Sequence, residues 1–411
     1  GEIQNSSNEE MGLKVGPIVL MPDIEKRHLA TLFFGAFFGI ASMAFVNVFN
    51  YSIFSALELP EDQFGRLAGS LTAVQEVVVV SVIGFFGALS DKVGRRIVYS
   101  MGFFLLGIGY FIYPLADNMT ELLFFRIFVA LGCAANTVML PTVANDYVHN
   151  STRGRLIAFT SILNGLGLVL IISTFRNFAT FYEQLEAPEF LMNLGYDSAN
   201  WAQYTFWSAS AMVFIVSIVL YLNLKKGTAE ATAKKDSYFS TLKVAIKEAK
   251  NPRVALAYTA GIVSRGDLAV VSTFFALWLG IEFQSLGMSK PEAQKMAALL
   301  YVAVQACAIP GALLINFFID KFDRVVALAI SMAIAATGYL YLGFIDDVTG
   351  YEMYIGVGLL GLGEIFANIS AISLIGTVAP EKEKGAGSRC IRFFAAGGLF
   401  PVAGIGGQLI D

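Results

Sequence analysis

Long apolar runs, each bounded by short polar segments, dominate the chain after residue 28. A helix needs about 20 predominantly apolar residues to cross the hydrocarbon core of a bilayer. The sequence predicts eleven such spans, near 29–57, 64–90, 96–116, 120–147, 155–178, 202–224, 254–281, 293–319, 324–344, 351–378 and 386–410. We therefore predict an all-α protein that crosses the membrane many times.

The basic residues between the spans lie mainly on one side of this arrangement. Loops on the side of the N-terminus collect most lysines and arginines, whereas the opposite loops carry acids such as Glu58, Asp62 and Asp346. Cytoplasmic loops are enriched in lysine and arginine. This bias predicts a cytosolic N-terminus, and we expect the membrane to be a bacterial inner membrane.

The spans fall into two groups separated by a polar stretch. We predict a cytosolic tail at 1–27, a six-helix bundle at 28–224, a linker at 225–253 and a second bundle at 254–411. The second half of the linker spaces apolar residues at helical intervals among lysines, which is typical of an amphipathic helix on a membrane surface. Five spans in the second bundle lead us to expect that a twelfth helix is missing from the sequence.

Short segments recur in the same order in both halves. The offsets stay between 222 and 231 residues. The pairs are 39–45 with 261–267, 73–75 with 303–305, 90–95 with 319–324, and 126–132 with 357–363. Such an internal repeat is typical of transporters with two parallel halves around a central cavity.

Composition supports a membrane protein and excludes several other classes. Hydrophobic residues make up 56% of the 411 residues and charged residues 15%, with a mean hydropathy of +0.65. Three isolated cysteines and two histidines provide no disulfide framework or structural metal site. No catalytic set or phosphate loop can be assembled, and the net charge of −4 argues against nucleic-acid binding. We expect neither an enzyme nor a cofactor.

The segment GALSDKVGRR, at positions 87–96, resembles the signature motif of the major facilitator superfamily. A degenerate copy lies at 316–324, and Arg126 to Gly132 resembles another element of that superfamily. The resemblance implies two parallel six-helix bundles and transport by alternating access. It also implies a conformational latch, which we assign to Gly87, Asp91, Gly94, Arg95, Arg96, Asp320 and Arg324.

Ionisable side chains deep in the spans are the candidates for function, because each costs roughly 2.5–3.5 kcal/mol to insert at the bilayer centre. The candidates for proton coupling are Glu76, Glu364 and Asp267. Glu76 could instead be a buried partner of Arg126, and Glu364 could pair with Arg265. The candidates for the substrate cavity are Arg126, Arg265, Asn47, Asn136 and Asn368.

Two functions remain open from the sequence. The first is a proton-coupled secondary active transporter for a small organic, amphiphilic solute. The second is a facilitative uniporter of the same fold, in which the buried acids form structural pairs. In both cases we expect a monomer in the lipid bilayer, and the sequence does not identify the solute or the direction of transport.

Overall fold

The computed structural model describes residues 12–227 and 250–378, and 83% of these residues are helical. In the bilayer core no water satisfies backbone polar groups, so the apolar runs form helices that satisfy their own. The first group comprises α1 Lys26–Val48, α2 Asn50–Ala56, α3 Phe64–Val93, α4 Arg95–Ile112, α5 Met119–Tyr147, α6 Arg153–Phe175, α7 Phe178–Gln184, α8 Glu189–Asn193 and α9 Trp201–Asn223.

The second group of helices starts after the predicted linker. It comprises α10 Pro252–Val270, α11 Ala276–Ser285, α12 Lys290–Lys321, α13 Arg324–Gly343 and α14 Tyr351–Val378. A π-helical turn, Val271–Phe275, joins α10 to α11. Within this half α14 packs against α10, α12 and α13, while in the first half α4 and α5 pack together and α1 packs against α6.

Nine helices in the described residues are long and apolar enough to cross a membrane. They correspond to the predicted spans other than the seventh and the eleventh. The seventh is helical from Pro252 to Ser285 but is interrupted by the π turn, while the eleventh lies outside the described residues. The amphipathic helix predicted in the linker and any twelfth helix also lie outside them. The prediction of a polytopic helical membrane protein is confirmed.

Successive spans run in opposite directions, so the two halves share two ends. The Tyr51 end is formed by α2, the start of α3, the end of α11 and the start of α12. The Gly94 end is formed by the junctions of α3 with α4 and of α5 with α6. Gly94 ends α3 with a φ of +98°, a conformation that favours glycine and lets the chain reverse within one residue.

The first and seventh spans are irregular at matching positions of the repeat. Phe49 interrupts the first span between α1 and α2, and the π turn begins at Val271, an offset of 222 residues. The offset is the one that relates 39–45 to 261–267. Single-turn π segments occur frequently at functional sites. The two irregularities also face each other across the halves, since Asn47 Nδ2 lies 3.5 Å from Ser272 Oγ.

Part of the predicted N-terminal tail is folded against the Gly94 end. Residues Lys14–Val15 and Ile18–Val19 form a two-stranded antiparallel hairpin, β1 and β2. The amide of Val19 donates to Thr152 Oγ1 over 3.0 Å, and the amide of Met21 donates to the carbonyl of Tyr147 over 3.0 Å. Leu20 is fully buried, so this segment belongs to the packed body of the first half.

The contact between α1 and α6 depends on Gly167, and this can be tested. A Cβ atom at Gly167 would overlap the carbonyl group of Phe37, whereas one at Gly165 would meet nothing within 4 Å. We expect Gly167→Ala to lower the midpoint of thermal unfolding in detergent by roughly 5 °C or more, because overpacking costs about 1–3 kcal/mol. Gly165→Ala on the same helix is the matched control. Equal midpoints for the two variants would contradict this packing.

Candidate functional site

Arg126 is the most deeply buried charged residue of the first half. It lies about two turns from the start of α5, and its side chain is 0% exposed. Its Nη2 donates to Asn47 Oδ1 of α1, and its Nη1 donates to the hydroxyl of Tyr113 over 3.4 Å. The guanidinium also lies 5.8 Å from the centre of the Tyr113 ring. Among the described residues no carboxylate pairs with Arg126, and its Nε has no hydrogen-bond acceptor.

The hydrogen bonds of Arg126 continue in two directions. The Tyr113 hydroxyl donates to Asn50 Oδ1 over 3.1 Å, and Asn50 Nδ2 has no acceptor among the described residues. On the other side, Asn47 Nδ2 reaches Ser272 of the π turn. Arg126 is therefore the centre of a buried polar network, and that network crosses from the first half to the second.

Hydrogen bonds, most of them between uncharged groups, join the two halves at the Tyr51 end. One of them runs from Lys290 Nζ to the carbonyl of Ser55 over 3.2 Å. Gln294 of α12 is fully buried, and its Oε1 accepts from the amide of Ser52 over 3.1 Å and from the Ser52 hydroxyl over 2.8 Å. Its Nε2 donates to the carbonyl of Val48 over 3.1 Å. The Tyr51 hydroxyl donates to Gln284, and Thr72 lies 3.3 Å from Thr273 through their hydroxyl oxygens. We call these contacts the inter-half seam.

Glu364 lies near the middle of α14 and is 4% exposed. Gln305 of α12 donates to both of its carboxylate oxygens, over 3.3 and 3.4 Å. Gln305 thus links α12 to α14. Asn368 is also buried and lies one turn further along α14.

The remaining predicted cavity and coupling residues do not join the Arg126 network in the described contacts. Glu76 is half-buried on α3 and has an interaction partner. Asn136 is 2% exposed on α5, and both of its side-chain polar atoms lack a partner among the described residues. Arg265 and Asp267 lie in α10, but their side chains fall outside the described residues, so the predicted pair of Glu364 with Arg265 stays a prediction.

The predicted latch residues of the first half converge on Arg95. Its Nη1 lies 2.6 Å from Asp91 Oδ1, its Nε donates to Asp146 Oδ2 over 2.8 Å, and it also contacts Ser90. Asp146 lies in the last turn of α5, so the cluster ties the α3–α4 junction to that helix. Arg96 instead stacks over Tyr221 at 4.6 Å and donates to the Tyr221 carbonyl over 3.0 Å.

The other latch residues contribute less side-chain contact. A Cβ at Gly87 would meet Val138 at 3.8 Å, an ordinary contact, so this glycine is not demanded by close packing. In the second half Arg324 donates to Ser373 Oγ over 2.7 Å, while the side chain of Asp320 lies outside the described residues. The two copies of the motif can therefore be compared at Arg95 and Arg324. These two arginines contact different partners.

Sequence reasoning found Arg126 and Asn47 but missed Tyr113 and Gln294. Tyr113 lies at the end of an apolar span, where tyrosine is common, so its contact with Arg126 has no sequence signal. Gln294 lies at the start of α12, among polar loop residues. A buried glutamine at a helix start becomes recognisable only when the opposing Ser52 is in place.

The arrangement defines a membrane transporter with two helical halves. Residues 31–402 match the family model described as Major Facilitator Superfamily. The match covers most of the chain, which belongs to this superfamily. The family and the apolar helices make it an integral, multi-pass membrane protein.

Several known proteins resemble the chain. Magnetosome protein MamH of Paramagnetospirillum magneticum is 22% identical over 365 residues, which cover 87% of this chain and 80% of MamH. Magnetosome protein MamZ of the same organism is 22% identical over 73% of this chain, but this covers only 45% of MamZ. The riboflavin transporter RibZ of Clostridioides difficile is 30% identical over 32% of this chain and 28% of RibZ.

Solved structures show the same fold at low identity. The nucleoside transporter NupG matches with a TM-score of 0.70 and 13% identity, over 94% of this chain and 90% of NupG. A bacterial homologue of the lysosomal transporter Spinster, in an inward-facing and unoccupied conformation, matches with a TM-score of 0.63 and 17% identity. That match covers 94% of this chain and 82% of the homologue.

The Arg95 cluster makes a prediction for stability. Arg95→Ala leaves the partly buried carboxylates of Asp91 and Asp146 without this cation, which costs more than loss of an exposed charge. We expect a loss of about 1–3 kcal/mol, seen as a lower thermal midpoint in detergent. Lys92→Ala, an exposed residue of the same motif, should change the midpoint little. A midpoint for Arg95→Ala equal to that of Lys92→Ala would show that the cluster does not stabilise the fold.

Proposed function

We propose that this protein is a secondary active transporter that moves a small organic solute by alternating access and couples the movement to protons. The N-terminus lies in the cytosol of a bacterium, and the Tyr51 end faces the outside of the inner membrane. The observation that carries the proposal is the inter-half seam, which joins the halves through hydrogen bonds at the Tyr51 end.

The chemistry of the seam suits a contact that opens and closes. Apart from the ammonium of Lys290, its described members are amides, hydroxyls and backbone carbonyls. A typical hydrogen bond between neutral groups contributes only about 0.5–1.5 kcal/mol net. When the halves separate, each of these groups can be satisfied by water. The seam is therefore stable enough to close this end and weak enough to be broken during a transport cycle.

Three of the matched proteins support an organic solute or a proton. NupG is named a nucleoside transporter and RibZ a riboflavin transporter. A D-xylose–proton symporter matches with a TM-score of 0.57 and 16% identity. Glu364 supplies a protonatable group in the second half, since it is buried on α14, and the neighbouring Gln305 can hydrogen-bond either form of the carboxyl group.

The seam predicts how one substitution shifts the two conformations. Gln294→Ala removes the bonds to Ser52 and Val48, which should favour opening of the Tyr51 end by about 1–2 kcal/mol. The measurement starts from a background in which Cys133, Cys307 and Cys390 are changed to serine. A single cysteine is then placed at Ser55, which is buried, and its rate of labelling by a membrane-impermeant maleimide is measured. The expected labelling rate is roughly 5- to 30-fold faster than in the parent.

Lys295→Ala is the matched control for this experiment, because Lys295 is next to Gln294 and makes no described hydrogen bond or ion pair with the first half. Its labelling rate should equal that of the parent. If Gln294→Ala also labels at the parent rate, the seam does not control access to this end.

Proton coupling is tested separately from transport. A thermal-shift screen of metabolites on purified protein would identify the solute for proteoliposome assays. We expect Glu364→Gln to retain counterflow of that solute within a few-fold, but to lose accumulation driven by a pH gradient, because a glutamine cannot exchange a proton. Glu352→Gln, an exposed residue on the same helix, is the control and should accumulate solute normally.

The result also distinguishes the facilitative uniporter. A uniporter would show counterflow in the parent protein without any accumulation driven by the pH gradient. Should accumulation persist in Glu364→Gln and also in Glu76→Gln, coupling at these two glutamates would be wrong even though transport itself stands.

A further inference from the structure

The strongest unexplained feature of the molecule is the charge of Arg126. A buried cation is costly in a low-dielectric environment unless an anion compensates it, and arginine keeps its proton under all ordinary conditions. Yet the partners of Arg126 among the described residues are a neutral amide and a neutral hydroxyl, from Asn47 and Tyr113. The protein therefore maintains a positive charge that its own described side chains do not neutralise.

The donors around Arg126 outnumber the acceptors. A guanidinium carries five N–H donors, and Arg126 has one described bond from each of its two terminal nitrogens and none from Nε. The Nε and the adjacent terminal nitrogen form the edge of a guanidinium that binds a carboxylate or phosphate with two parallel bonds. Asn50 Nδ2, linked to Arg126 through Tyr113, is a second buried donor without a described acceptor.

The internal repeat places an apolar residue where the first half has this cation. The repeat that aligns 126–132 with 357–363 places Val357 opposite Arg126. Val357 is 2% exposed, so an apolar side chain fills the corresponding buried position of the second half. The arginine is therefore a feature of one half only, unlike Gln75 and Gln305, which occupy matching positions of both halves.

The surroundings of Arg126 also connect it to the movement of the two halves. Asn47 contacts Arg126 with one atom and Ser272 of the π turn with the other, and the latter contact is long at 3.5 Å. An anion at Arg126 would compete with Asn47 Oδ1 for the guanidinium and so change the contact between the halves. Because Arg126 is fully enclosed in this conformation, the anion has to enter when the halves separate.

We propose that Arg126 binds an oxyanion of the transported solute, a carboxylate or a phosphate group, and that the solute is therefore an organic anion. This inference rests on the proposed function as a transporter. The bond from Arg126 is charge-assisted and is made in the protein interior, so it dominates recognition of that end of the solute.

The test compares matched pairs of probes that differ in charge. Benzoate against benzamide examines a carboxylate, and adenosine monophosphate against adenosine examines a phosphate, each by thermal shift and by titration calorimetry on the purified full chain. We expect the anionic member of at least one pair to bind and the neutral member to bind at least 30-fold more weakly. In Arg126→Gln the anion should lose roughly 30-fold or more in affinity, while Arg66→Gln, an exposed arginine on α3, should bind as the parent does.

A second variant keeps the test decisive if Arg126→Gln fails to fold. Asn47→Asp places a fixed carboxylate against the guanidinium, so we expect a higher thermal midpoint than the parent and loss of the anion-dependent shift. The proposal is overturned if neutral and anionic members bind equally, or if anion binding survives in Asn47→Asp.

Counterflow of a neutral solute with no anion preference would refute only this inference, whereas absence of counterflow for every solute that binds would refute the proposed function.

Discussion

The absence of water from the bilayer core is the constraint on which this structure depends. Backbone groups there must be satisfied within each helix, and side-chain polar groups must be satisfied by other helices. Gln294, near the start of α12, is fully buried and finds its partners in the first half, since its Oε1 accepts from Ser52 and its Nε2 donates to the Val48 carbonyl. Arg126 meets this demand only in part, since its charge has no described counterion. The same constraint thus distinguishes residues that hold the halves together from a residue that is prepared for a ligand.

The fold was predictable because its signals are long or repeated. Apolar runs of about 20 residues identify spans without any knowledge of their packing, and the motif at 87–96 indicates the superfamily. The interruption of the seventh span was not predictable, since VSTFF contains no proline or glycine to mark it. Its contacts with Asn47 and Thr72 join positions far apart in sequence. Likewise, the docked hairpin at 14–19 is a short, mostly apolar stretch within an otherwise polar segment that indicates only a tail.

The candidate site was predictable as individual residues but not as a network. A single charge within an apolar span is conspicuous, so Arg126 and Glu364 can be selected from depth alone. Their partners are not conspicuous, because the contacts of Tyr113 with Arg126 and of Ser52 with Gln294 join positions far apart in sequence. Pairing is set by the rotation of each helix about its axis, and that rotation depends on close contacts such as Gly167 with Phe37.

The central claim is that the two halves close one end while they open the other. Double electron–electron resonance on the full chain in nanodiscs tests it most directly. One nitroxide pair at Asp62 and Ser289 reports the distance between the halves at the Tyr51 end, and a second pair at Lys92 and Lys321 reports it at the Gly94 end. All four positions are exposed. When Gln294→Ala is introduced, the first distance distribution should shift to longer values and the second to shorter values. Distributions that stay unchanged at both ends, or that lengthen together, would contradict alternating access by these two halves.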